Sequence, residues 1–101
     1  MAQRKIIWSK EAQNDFLAAL SFYAERNGTK TYSKKLAGEV YEAIEKLREH
    51  PFLGRPTRND TVRIMIKGKY QIYYELDQED IVILVVWDMR RNPDELKKFV
   101  P

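Results

Sequence analysis

The sequence of 101 residues predicts an α+β fold with an N-terminal strand, an antiparallel helical hairpin, a three-stranded antiparallel sheet and a short C-terminal helix. Two stretches of the first half carry apolar residues at helical spacing, and after residue 61 the apolar period changes to two. An apolar fraction of 44% and a charged fraction of 33% are typical of a globular protein. Length and composition therefore predict one domain spanning residues 1–101.

The first half is predicted to form one strand and two helices. Residues 6–8 are a β-prone run that ends at Ser9, a residue that caps helix N-termini well. The first helix is expected to end at Gly28, because glycine accepts the left-handed conformation of a C-terminal cap. The second ends before Pro51, since proline disfavours helix in the residue that precedes it. A short link between two helices predicts an antiparallel pair.

The second half is predicted to form three antiparallel strands. In residues 62–67, Val62, Ile64 and Ile66 alternate with Arg63, Met65 and Lys67, as in a half-buried strand. Residues 70–76 are aromatic and β-branched, and residues 81–87 are continuously apolar, as in an inner strand. A three-residue loop at residues 67–69 would set Ile66 opposite Tyr70, Ile64 opposite Ile72 and Val62 opposite Tyr74. The helices would then cover the face that carries Val62, Ile64, Ile66, Ile72, Tyr74, Ile81, Ile83 and Val85. The opposite face would display Arg63, Met65, Lys67, Gln71, Tyr73, Leu84, Val86 and Asp88.

The last residues predict a short helix that begins at Pro93. Proline suits the first helical position, and Asp94 and Glu95 suit the first turn, where acidic side chains interact favourably with the helix dipole.

The composition also excludes several kinds of chemistry. The chain has no cysteine and a single histidine, His50, so disulfides, thiolate catalysis and a Cys- or His-based metal site are not expected. We see no phosphate-binding glycine loop and no nucleophile elbow, and we predict no cofactor and no metal. No apolar run is long enough to cross a bilayer and no signal peptide is evident, so the predicted location is the cytoplasm, with no membrane partner.

Basic residues cluster in the middle of the chain. The formal net charge is +3, and Asp60 is the one acidic residue among the five cations of residues 55–69, namely Arg55, Arg58, Arg63, Lys67 and Lys69. Such a patch suits nucleic acid or an acidic protein partner. Arginine and lysine can hold a phosphodiester, and Tyr73 or Tyr74 could stack on a base, but the same side chains could simply keep the surface soluble.

Four segments together resemble the RelE/ParE superfamily of bacterial toxins. They are His50-Pro51-Phe52-Leu53-Gly54-Arg55-Pro56, Val62-Arg63-Ile64, Tyr70-Gln71-Ile72-Tyr73-Tyr74-Glu75 and Trp87-Asp88-Met89-Arg90-Arg91-Asn92-Pro93. Their order and spacing match the superfamily's loop after the second helix, its valine–arginine strand, its tyrosine-rich strand and its closing arginine motif. The first strand and helix, with Trp8-Ser9 and Ala12, also match.

This resemblance implies the toxin of a type II toxin–antitoxin system, of the kind associated with plasmid stabilisation. Such a toxin is held inactive by a cognate antitoxin, usually encoded by the adjacent gene, and stops growth when it is released. One branch of the superfamily cleaves messenger RNA in the ribosomal A site without a metal ion, and another poisons DNA gyrase. A basic binding module without toxicity is a third interpretation.

The resemblance also carries over individual residues. If the chain is a ribonuclease, Arg63 and Arg91 match the superfamily's basic residues at the scissile phosphate. Target or nucleic-acid binding would fall to Arg55, Lys67, Lys69, Tyr73 and Arg90. Asp88 would orient a neighbouring cation, with Lys69 and Arg91 as the expected partners.

Two positions depart from the RNA-cleaving branch. Gln71 stands where many of those members carry an arginine, and Asp88 stands where many relatives carry a histidine. The tail from Leu96 to Pro101 also lacks the tyrosine or histidine that RNA-cleaving members tend to supply. General acid–base catalysis contributes about 10²–10⁴-fold, so these losses favour a ParE-like gyrase inhibitor, or a toxin with little activity, over a RelE-like ribonuclease.

Overall fold

The helices and strands occur in the predicted order in the computed structural model, which describes residues 4–91 and 93–96. They are β1 (Lys5–Trp8), α1 (Lys10–Asn27), α2 (Thr31–Glu45) with a 3₁₀ turn (Lys46–Arg48), β2 (Arg55–Pro56), β3 (Val62–Lys67), β4 (Tyr70–Asp77), β5 (Asp80–Asp88) and α3 (Pro93–Leu96). The tail after Leu96, which the sequence analysis compared with RNA-cleaving members, lies outside the described residues.

The strands form one sheet in the order β1-β5-β4-β3-β2. β1 pairs with β5 in parallel and the other pairs are antiparallel. The predicted α+β class is confirmed, and β5 lies between two strands as its continuous apolar run requires. The short β2 was not predicted: Arg55 and Pro56, expected in a loop, pair with Ile64 and Arg63.

Ser9 joins the start of α1 to the sheet. Its side chain accepts a hydrogen bond from the Ala12 backbone N–H at 3.0 Å, which satisfies a helix donor that has no partner within the helix. The same hydroxyl donates to the carbonyl of Leu84 in β5 at 2.8 Å. The predicted cap is therefore confirmed, and it also fixes the start of α1 on β5.

Replacing Ser9 with alanine is expected to lower the free energy of unfolding by about 1–2 kcal/mol, because it removes the cap and leaves the Leu84 carbonyl without this donor. Chemical denaturation of the purified chain measures the effect. Ser21→Ala is the matched control, since Ser21 is an exposed serine of the same helix. Equal stability of the two variants would contradict the double role of Ser9.

The main core lies between the helical hairpin and one face of the sheet. Its buried side chains come from α1, α2 and three strands, and include Phe16, Val40, Met65, Ile72, Tyr74, Ile83 and Val86. A second, smaller cluster of Val85, Trp87 and Leu96 lies on the other face, which we call the outer face. There α3 covers Trp87, which is 1% exposed.

The predicted register of the β3–β4 hairpin is wrong by one residue. Lys67 pairs with Tyr70 and Met65 with Ile72, so the loop has two residues and not three. Gly68 has a φ of +60°, as in a two-residue hairpin turn with glycine at its first central position. The one-residue shift moves Met65, with Arg63 and Lys67, to the helix side of the sheet, and it moves Ile64 to the outer face.

A bulge in β5 makes the predicted faces wrong for Val85 and Val86. Tyr73 pairs with Val85 but the next residue, Tyr74, pairs with Ile83, so Leu84 is an extra residue. An extra residue reverses the alternation of the side chains that follow it. Ile81 and Ile83 therefore face the helices as predicted, whereas Val85 lies on the outer face and Val86 on the helix side.

Within residues 4–91 and 93–96, no helix has the length and apolarity that crossing a bilayer requires.

Candidate functional site

Asp88 and Arg90 form a close ion pair at the end of β5. The Arg90 guanidinium donates from Nε to Asp88 Oδ1 at 2.9 Å and from Nη2 to Oδ2 at 2.6 Å, and the Arg90 backbone N–H adds a third bond to Oδ1. The guanidinium also lies 5.4 Å from the centre of the Tyr23 ring on α1. Two planar hydrogen bonds and a ring contact hold Arg90 in one orientation. The partner of Asp88 is thus Arg90, not the expected Lys69 or Arg91.

Arg91, just after the end of β5, is held by an aromatic ring and two carboxylates. Its guanidinium carbon is 4.1 Å from the centre of the Trp87 ring, and its nitrogens lie 3.6 Å from an Asp15 oxygen and 3.3 Å from a Glu95 oxygen. Its side chain is 41% exposed. Because surface ion pairs are weak, an acidic or phosphate group of a partner can replace either carboxylate.

Two lysines lie at the same end of the sheet. Lys67 is opposite Tyr70 on β4, and Tyr70 is opposite Asp88 at the end of β5. Lys69 lies beside the same strand end, because its carbonyl accepts a hydrogen bond from the Met89 N–H at 2.8 Å. Both lysine side chains are exposed. Together, Lys67, Lys69, Arg90 and Arg91 form a surface that we call the basic end of the sheet.

Arg63 lies in a different environment. Its guanidinium donates to the carbonyls of Gly54 and Phe52 and lies 4.9 Å from the centre of the Phe52 ring. It is opposite Tyr74, whose hydroxyl accepts from the Gly54 N–H at 2.8 Å and donates to the Pro51 carbonyl at 2.9 Å. Burial raises the pKa of Tyr74, which the hydrogen bond and the Arg63 charge partly oppose. Arg63 therefore fastens the loop of residues 51–54 to the sheet.

The structure does not bring Arg63 and Arg91 together. Arg63 on β3 pairs with Tyr74 on β4, and Tyr74 pairs in turn with Ile83 on β5. Asp88, at the end of β5, is five residues further along that strand than Ile83. At about 3.3 Å per residue, this separates the two positions by on the order of 15 Å along the sheet, in addition to two strand spacings across it. The expected open face that displays both arginines around a tyrosine is not present, because the register shift moved Arg63 to the helix side.

The remaining predicted site residues lie on the outer face or next to it. Tyr73 packs against the cluster of Val85 and Trp87 and is only partly exposed. Burial raises its pKa, and the positive charge of Arg55 opposes that shift. Arg55 is exposed on β2 and pairs with Ile64 on β3, which pairs in turn with Tyr73 on β4. Arg55 therefore lies nearer to Arg63 than to the basic end. Gln71 lies opposite Trp87.

A cleft of about 580 Å³ lies between α1 and the basic end, and sequence reasoning did not find it. Ala18, Ala19 and Val86 give it an apolar floor, while Arg26, Arg90 and Arg91 line it with positive charge. The elements that form it are separated by more than forty residues of chain, so no local sequence pattern marks it.

Tyr70 also lines the cleft and is 3% exposed. Its hydroxyl is buried and has no hydrogen-bond partner among the described residues. Burial, together with the negative charge of Asp88, raises the pKa of this hydroxyl to about 12, so it is a neutral donor at neutral pH. A buried donor without an acceptor costs stability, and among the described residues the Tyr70 hydroxyl is the one buried side-chain polar atom that lacks a partner.

Among residues 4–91 and 93–96, no three histidine, aspartate or glutamate side chains come close enough together to hold a metal ion. At the basic end, Arg90 and Arg91 are instead paired with carboxylates.

The sequence comparison decides the family. The model of the ParE toxin of the type II toxin–antitoxin system parDE matches residues 6–93, nearly the whole chain. The chain belongs to the ParE toxin family. The matched segment begins within β1, at Ile6, and includes β2 to β5 and the basic end. No curated protein is significantly similar in sequence to this ParE-family toxin.

Solved structures share the fold. A chain of the chromosomal ParDE system from P. aeruginosa superimposes on this ParE-family toxin with a TM-score of 0.69 at 19% identity, covering 83% of this chain and 94% of that one. A chain of the toxin–antitoxin complex RelBE2 from Mycobacterium tuberculosis gives a TM-score of 0.60 at 22% identity, covering 84% and 96%. These likenesses confirm the predicted RelE/ParE-like fold.

Proposed function

We propose that this ParE-family toxin stops growth by inhibiting DNA gyrase and does not cleave RNA. The observation that carries the proposal is the separation of Arg63 from Arg91. RNA cleavage of the RelE kind would need both guanidinium groups at one phosphate, where preorganised positive charge stabilises the transition state. Here Arg63 is engaged by backbone carbonyls at one end of the sheet and Arg91 by carboxylates at the other.

The neighbouring groups support the same proposal. Asp88, which stands in place of a superfamily histidine, accepts hydrogen bonds from Arg90 and places a carboxylate next to the arginines. Gln71, which replaces a superfamily arginine, lies beside Trp87 and carries no charge. A phosphate at the basic end would meet the cations but also the Asp88 carboxylate, whose negative charge would repel it.

The basic end fits a protein target. Arg90 and Arg91 are each held by an aromatic ring and a carboxylate, so little side-chain freedom is lost when they bind. Lys67 and Lys69 extend the positive surface, which would attract an acidic surface of the target and speed the encounter. We assign target binding to these four residues.

The proposal includes a cognate antitoxin, encoded by the adjacent gene, that inhibits the toxin by binding it. The family of the chain supports this partner. Coexpression tests it: the chain alone is expected to arrest growth, and the neighbouring gene is expected to restore growth and yield a stable complex. No arrest and no complex would favour a basic module without toxicity.

Two assays on the purified toxin separate the targets. We expect inhibited supercoiling and trapped DNA breaks when DNA gyrase is incubated with the toxin. We expect no new cuts when translating ribosomes are incubated with it and their messenger is mapped by primer extension. Cuts at codon positions that disappear in Arg91→Ala, together with normal supercoiling, would establish the RelE-like ribonuclease instead.

A further inference from the structure

The cleft next to α1 contains a donor and a cation that the folded chain leaves unused. The Tyr70 hydroxyl is buried without a hydrogen-bond partner. Arg26, in the last turn of α1, is exposed and makes no ion pair with any described residue. Unpaired polar groups beside an apolar floor are typical of a binding site, where the ligand supplies the missing hydrogen-bond and charge partners.

The charges of the cleft select the kind of ligand. Arg26, Arg90 and Arg91 oppose Asp15 and Asp88, which gives a net charge of +1. The two carboxylates would repel a chain of phosphates, whereas a peptide can bring one carboxylate to the arginines and an apolar side chain to Ala18, Ala19 and Val86. An acidic–apolar peptide therefore fits the cleft better than a nucleic acid.

We propose that this cleft binds an acidic–apolar segment of the antitoxin, whose carboxylate takes Arg26 and Arg90 as partners and releases Asp88 to accept a hydrogen bond from Tyr70. The inference rests on the antitoxin proposed above and adds the place and the chemistry of its contact.

The geometry around Asp88 supports this exchange of partners. Asp88 Oδ2 lies 3.5 Å from the Tyr23 hydroxyl, and Asp88 is directly opposite Tyr70 in the pairing of β4 with β5. The Arg90 side chain is 45% exposed, so an incoming carboxylate can reach it. After the exchange each charged group keeps a partner and the buried hydroxyl gains one, which an apolar contact alone would not provide.

The test is the affinity of purified toxin variants for the protein encoded by the adjacent gene, measured by calorimetry. Tyr70→Phe is expected to weaken binding roughly tenfold or more, since a hydrogen bond to a charged group contributes on that scale. Arg26→Gln is expected to weaken it as well. Tyr41→Phe and Arg58→Gln are the matched controls, each removing the same group from an exposed residue outside the cleft.

Thermal unfolding of the free toxin excludes a merely structural effect. Tyr70→Phe removes a hydroxyl that has no partner, so its Tm should be equal to or higher than that of the parent chain. Full affinity of Tyr70→Phe, or weakened binding explained by a lowered Tm, would overturn the assignment.

Peptides tiled across the antitoxin, and a single-stranded RNA decamer, locate the ligand. We expect a peptide with an acidic and an apolar side chain to perturb the NMR signals of Tyr70 and Val86. Perturbation by the RNA alone, or no binding of the antitoxin at all, would overturn the proposal. Gyrase inhibition by the parent toxin is measured separately, so a failure of the proposed target remains distinguishable from a failure at this cleft.

Discussion

Gly54→Ala is expected to lower the free energy of unfolding by about 2–4 kcal/mol, the sum of local overpacking and a disturbed buried hydrogen bond. A Cβ at this position would lie 2.7 Å from the Tyr74 hydroxyl oxygen and 2.8 Å from the Ile64 carbonyl oxygen. Both distances are too short for a carbon atom. The Ile64 carbonyl belongs to the backbone of β3 and cannot turn away as a side chain could.

Urea denaturation of the purified variants measures this effect. Gly38→Ala is the matched control, because a Cβ at Gly38 meets no atom within 4 Å beyond the neighbouring backbone of its own helix, and alanine favours α2. The control should be at least as stable as the parent. If Gly54→Ala were equally stable, the close packing of the loop against Tyr74 would be disproved.

The double substitution of Arg90 and Arg91 by glutamine is expected to weaken gyrase inhibition by at least roughly a hundredfold, because each charge-assisted contact contributes about 1.5–3 kcal/mol to binding. Growth arrest on induction should be lost in parallel. The measurement is the toxin concentration that halves supercoiling, determined for variants whose folding is verified by circular dichroism.

The control for this prediction is the double substitution of Lys34 and Lys35 by glutamine. These two neighbouring cations are exposed on α2, away from the basic end, so the change in net charge is the same. Equal loss of inhibition in both double variants would show that only the overall charge matters. Retained inhibition in the arginine variant would remove the basic end from the target-binding surface.

The elements that the sequence predicted best are those with a long periodic pattern or a clear end signal. Ser9 and Gly28 delimit α1 as predicted, because a capping hydroxyl and a left-handed glycine leave few alternatives. The continuous apolar run of β5 predicted an inner strand, which its pairing with β1 and β4 confirms.

The faces of the sheet were harder to predict. The register depends on a single residue of loop length, and Gly68 would have indicated the two-residue turn that the structure shows. The bulge at Leu84 left no such signal, since an apolar run without alternation does not reveal where its phase reverses.

Most of the contacts at the candidate site were beyond sequence reasoning. Arg90 meets Tyr23 and Arg91 meets Asp15, across gaps of 67 and 76 residues that no local pattern connects. Its alternation with apolar residues along β3 predicted that Arg63 lies on an open surface. The sequence did not show its actual partners, because backbone carbonyls such as those of Phe52 and Gly54 have no sequence signature.

Gyrase inhibition by purified Arg63→Gln tests most directly the claim that Arg63 holds a loop while Arg91 meets the target. We expect the variant to unfold at lower urea concentration, because glutamine cannot reproduce the guanidinium contacts with Gly54 and Phe52. Under conditions where that chain is still folded, it should inhibit supercoiling as the parent toxin does. Loss of inhibition by a fully folded variant, equal to the loss in Arg91→Gln, would show that the two arginines serve one site and do not have separate roles.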